Sequence, residues 1–75
     1  MPTNPQEFAR LVSVEMLRLR GWRDPKAVPP EVRGDVFKVM GECPQYTDLW
    51  TAQTHPATAA RFIQDRAWAM SHDSP

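Results

Sequence analysis

Seventy-five residues allow one domain with a small core, near the size at which chains start to need disulfides or metals to stay folded. Cys43 is the single cysteine, which excludes an intramolecular disulfide and a thiolate-rich zinc site. Nine basic side chains cancel nine acidic ones, so the positive balance of a dedicated nucleic-acid binder is absent.

The opening run MPTNPQEF lacks the basic and apolar segments of a secretory leader, and no stretch approaches the ~20 apolar residues of a membrane span. These features lead us to expect a cytoplasmic protein with no membrane partner. Eight prolines against three glycines suggest short elements joined by defined turns. A single helical domain is expected over 1–75, with loose ends at about 1–4 and 71–75.

Taken in chain order, Asn4-Pro5-Gln6-Glu7 reads as a helix start. Asn4 caps, Pro5 takes the first helical position, and Glu7 stands where a capping-box acid belongs. The first helix is expected over 5–20, with Gly21 as a left-handed stop and Trp22 covering its end. Phe8, Leu11, Val12 and Leu19 share one face, while Val14 and Leu17 lie well off it. Glu15 falls among the apolar residues of the main face. A carboxylate there needs a partner, and a structural ion pair with Arg18, Arg33, Lys38 or an arginine of the last helix outweighs a catalytic role.

Pro29-Pro30-Glu31 marks a second helix over about 30–40, ending at Gly41. Val32, Val36, Val39 and Met40 form its stripe, with Phe37 to one side. Gly34 weakens it by about 1 kcal/mol relative to alanine, unless a neighbour crosses closely there. A third, shorter helix over about 45–53 puts Tyr46, Leu49, Trp50 and Gln53 on one face. The strongest helix signal is the last, over 56–70. Thr54 or His55 caps it, Pro56 opens it, and five alanines support it. Ala60, Ile63, Ala67 and Met70 share its main face, flanked by Ala59 and Phe62. Arg61, Asp65 and Trp68 lie elsewhere on its circumference. The fold class is therefore all-α, a compact bundle of three to four short helices.

For chemistry, Cys43, His55 and His72 are too scattered for a metal site, and no i, i+4 histidine pair exists. No motif surrounds Cys43 or His55 that would make a nucleophile and its base, and no glycine-rich phosphate loop is present. We expect no metal, no cofactor and no enzymatic activity.

Three binding readings remain. Three tryptophans are many for so small a core, and Trp and Arg are the residue types enriched at interface hot spots. Arg61, Asp65 and Trp68 form such a ridge on the last helix, with an i, i+4 pairing of Arg61 and Asp65 expected. Val14 and Leu17 give the first helix a second apolar spot near Arg10 and Arg18. The leading expectation is a protein-binding module, an adaptor, regulator or inhibitor that contacts another protein or a second copy of itself. The alternative is a dimeric helix-turn-helix DNA binder. There Thr58, Arg61, Gln64 and Asp65 would approach base edges, and Arg18, Arg20, Arg23 and Lys26 would contact phosphates. The third is a structural subunit of a larger assembly.

Overall fold

The computed structural model describes residues 4–72. The chain forms α1 (Pro5–Leu19), a short 3-10 turn (Pro25–Ala27), α2 (Pro30–Glu42), α3 (Tyr46–Thr51) and α4 (Pro56–His72), with no strand among the described residues. It is the all-α bundle of short helices expected from the periodicities. Of the ends expected to be loose, Asn4 caps α1 and α4 runs on through His72, while 1–3 and 73–75 lie outside the described residues.

Each start signal has a visible physical basis. The Asn4 side chain accepts the Glu7 N–H at 2.8 Å, satisfying one of the orphan donors of a helix N-terminus. Prolines open α1, α2 and α4 at positions where their missing N–H has no helical partner to lose. Of the two candidate caps for α4, His55 takes the role, its Nδ1 accepting the Ala57 N–H at 3.2 Å.

The stops of α1 and α3 share one device. Gly21 N–H donates to the Arg18 carbonyl and Trp22 N–H to that of Leu17; Gln53 N–H donates to the Trp50 carbonyl and Thr54 N–H to that of Leu49. Both are paired bonds around a left-handed residue, with φ +93° at Gly21 and +53° at Gln53. Gly21 was legible as a stop; Gln53 was not, because a glutamine in that backbone region opposes its own Cβ. By contrast, Gly41 does not end α2, which continues one residue to Glu42 and is capped by Cys43. Gly34 meets no close neighbour, since no atom lies within 4 Å of a Cβ built there.

These stops give a paired prediction. Gly21→Ala is expected to cost about 1 kcal/mol through backbone strain, because the added methyl meets nothing within 4 Å. Gln53→Gly should instead stabilise by about 0.5 kcal/mol, the relief of strain exceeding the loss of its exposed side-chain bond to the Trp50 carbonyl. Urea midpoints of the two variants moving in the same direction would refute this account.

The core is Phe8, Val12, Met16 and Leu17 of α1, Val28, Val36 and Met40 of α2 and its approach, Cys43, and Ala59, Ala60 and Ile63 of α4. α4 packs chiefly on α1, and α2 packs on both. The alanines at 59 and 60 are fully buried, and small residues there let α1 and α4 come close. α3 is tied in by its apolar face: Tyr46, Leu49 and Trp50 pack against the core, and the Tyr46 ring meets Phe8 edge-on at 5.8 Å. Burial raises the Tyr46 phenol above its ordinary pKa by disfavouring the charged form.

α1 departs from the expected face. Leu19 is half exposed, whereas Met16 and Leu17 are buried and Ser13 turns inward, its hydroxyl donating to the Arg10 carbonyl at 2.7 Å. Since α2 and α4 both pack on α1, its buried arc covers about half the helix circumference at ~100° per residue. Glu15 is partly buried and paired with Arg18 at 2.9 Å, the structural ion pair anticipated for it.

Candidate functional site

Two separate surfaces collect the residues singled out from the sequence. The first is the outer side of α4. Ala59, Ala60 and Ile63 turn into the bundle, and the helical period then carries Arg61, Asp65 and Trp68 to the opposite side. All three are exposed, Trp68 at 60%. The expected Arg61–Asp65 ion pair does not form among the described residues, and both side chains are exposed. Trp22 and Trp50 instead pack against the core, which separates the three tryptophans into two structural and one surface residue.

The second surface lies between α1 and α2. Val14 and Leu17 do belong together, but not as an exposed spot. Leu17 is 5% exposed and Val14 partly buried, and both line a groove of about 360 Å³. Its other walls are Ser13, Pro25, Val36 and Phe37, with Arg10 and Arg33 completing the lining. Phe37 stands half out of the surface at 52% exposure. The Arg33 guanidinium donates to the Pro25 carbonyl, fastening the 3-10 turn to α2 and fixing that wall. Phe37 leaves the valine stripe of α2, so periodicity alone gives it no role; its apolar bulk one turn from Arg33 is the signal that marks this wall.

Several residues of the DNA-binding reading are engaged within the bundle. Arg20 bridges three helices, its Nη1 pairing with Asp35 of α2 at 2.7 Å and its Nε donating to Gln64 of α4 at 3.4 Å. This commits both Arg20 and Gln64 to the bundle junction. Arg18 is held by Glu15, although it shares a shallow hollow with Gly21, Trp22 and Arg23. Lys26 is exposed on the 3-10 turn, where its N–H is accepted by Asp24 at 3.0 Å. Thr58 and Arg61 are exposed on α4.

The groups weighed for catalysis occupy structural positions. Cys43 is buried, with its thiol at 3.5 Å from the Gln45 side-chain oxygen, and the His55 Nδ1 is engaged in capping α4. Among the described residues no three His, Cys, Asp or Glu side chains gather as a metal site. No helix among them is long and apolar enough to cross a membrane.

No protein-family model, no curated protein and no solved structure matches this chain.

Proposed function

We propose that the chain is a small, non-enzymatic protein-binding module, an adaptor, regulator or inhibitor of a partner protein in the cytoplasm. The observation that carries this reading is Trp68, a large aromatic side chain 60% exposed on the outer side of α4, one turn beyond Asp65 and two beyond Arg61. A tryptophan contributes binding energy through its large apolar area, and an arginine on the same side of the helix extends the contact with a planar multidentate donor. Burying this ridge against a partner recovers apolar area that the folded monomer leaves in water.

The test is affinity capture by the wild-type chain, followed by quantitative binding with the captured protein. Trp68→Ala is expected to weaken binding about 30-fold, the equivalent of about 2 kcal/mol for a hot-spot residue. Its thermal stability should change little, since the ring is mostly in water. Unchanged affinity for the captured partner would remove the Trp68 ridge from the reading, and failure to capture any partner would sink the reading itself. Light scattering decides whether the partner is a second copy, in which case the same variant shifts the mass from dimer to monomer.

A second reading, a helix-turn-helix DNA binder, draws on the succession of α3, a turn and α4, with Thr58 and Arg61 outward. Against it, Arg20 is held in the bundle junction by Asp35 and Gln64, and the exposed Arg18 is paired with Glu15, which leaves Arg23 and Lys26 as exposed phosphate contacts with no ion pair among the described residues. Phosphate contacts dominate such affinities. A steeply salt-dependent mobility shift with duplex DNA, lost in Arg61→Ala, would favour this reading over the first.

A further inference from the structure

We propose that the groove between α1 and α2 receives an acidic amphipathic helix of a partner protein, a proposal that rests on the protein-binding reading and specifies the partner's chemistry. The floor and walls are apolar, formed by Val14, Leu17, Pro25, Val36 and Phe37, and enclose about 360 Å³. Two guanidinium groups, Arg10 and Arg33, belong to the same lining, and no carboxylate does. In a chain whose nine cations and nine anions cancel, this is a local positive excess set beside an apolar cleft. Arg10 is exposed and forms no ion pair among the described residues. Arg33 spends one donor on the Pro25 carbonyl and retains others for a carboxylate. Complementary charge of this kind selects the partner and orients it.

The shape favours a helix. Arg10, Val14 and Leu17 stand at i, i+4 and i+7 along α1, while Arg33, Val36 and Phe37 stand at i, i+3 and i+4 along α2. The lining along α1 spans about 10 Å at 1.5 Å per residue, two turns, which matches the spacing of anchor residues on a docked helix. Addition of an extended strand has no sheet edge to use among the described residues. Leucine-sized side chains would enter between Val14 and Phe37, with flanking glutamates reaching Arg10 and Arg33.

The experiment uses the full chain, isotopically labelled, and three synthetic 18-residue helical peptides. The first carries leucines at i, i+4 and i+7 among glutamates, the second replaces glutamate by lysine, and the third replaces leucine by alanine. The first is expected to shift the amide resonances of Val14, Leu17, Val36 and Phe37, and to bind at least tenfold more tightly than either control. Arg10→Glu should weaken it about tenfold by reversing a rim charge, and Phe37→Ala should weaken it by a similar factor. Arg10 is the cleaner charge variant, because Arg33 also fastens the 3-10 turn. Trp68→Ala should leave this peptide's affinity unchanged.

Equal binding of the acidic and basic peptides, shifts elsewhere on the chain, or no shift at all would overturn the proposal. So would saturable binding of dodecanoate with the same shifts and no peptide binding, which would make the groove a lipid pocket. If the peptide fails while Trp68→Ala still abolishes partner capture, the groove proposal falls and the protein-binding reading stands. If the peptide binds while Trp68→Ala leaves capture intact, the ridge is discarded and the groove stands.

Discussion

Phe8→Ala is expected to remove about 3–5 kcal/mol of folding stability, the range for deleting a buried aromatic ring. A domain of this length holds about 4–11 kcal/mol in total, so the variant should sit close to unfolding at room temperature. The ring is 1% exposed, begins the buried face of α1, and meets Tyr46 edge-on. Its loss therefore opens a cavity in the main core and also releases the six-residue α3, too short to persist by itself. Thermal unfolding followed by circular dichroism should show Tm falling by at least about 12 °C. Phe8→Leu, which keeps most of the volume, should cost less than about 1.5 kcal/mol. Equal losses from the two substitutions would mean that packing volume at this position is not what holds α3.

The second large effect separates two neighbours in the groove. Leu17→Ala is expected to cost about 2–5 kcal/mol, because the side chain is 5% exposed and packs within the core. Val14→Ala, at a partly buried position on the groove wall, should cost about 1 kcal/mol or less. Urea unfolding curves of the two variants measure the difference directly. A Leu17 substitution thus impairs any binding assay by unfolding the chain, whereas Val14 and Phe37 can be altered to examine the groove itself. Equal, small costs at both positions would return Leu17 to the surface and remove the floor of the groove.

Helix starts were legible in the sequence because capping is local: Asn4-Pro5, Pro30 and Pro56 each act within one turn of the residues they serve. Helix phase was less legible. Averaging apolar residues around α1 points to a face through Phe8, Leu11, Val12 and Leu19, yet α1 is buried on two sides by two helices. Ser13 turns inward with its hydroxyl satisfied by its own helix, which composition scores as polar. Leu19 lies on the final turn and stays half exposed. The ridge on α4 was readable because its three residues stand opposite the buried face of Ala59, Ala60 and Ile63. The groove was not, because its walls come from three elements and its arginines are 23 positions apart along the chain. Arg20 shows the same limit: its link to Asp35 and Gln64 depends on how three helices meet, which no local pattern encodes.

The bond from Arg33 to the Pro25 carbonyl bears on how quickly the groove can be occupied. A wall formed by a loose connector would have to be ordered at each encounter, with an entropic cost subtracted from affinity and a waiting time added to association. Here Arg33 of α2 is bonded to the connector, so on the proposed docking that wall would need no separate ordering at each encounter. On the proposed docking, association would then be set by diffusion and by the pull of the two arginines. Discrimination among docked helices would then fall to how long each one stays.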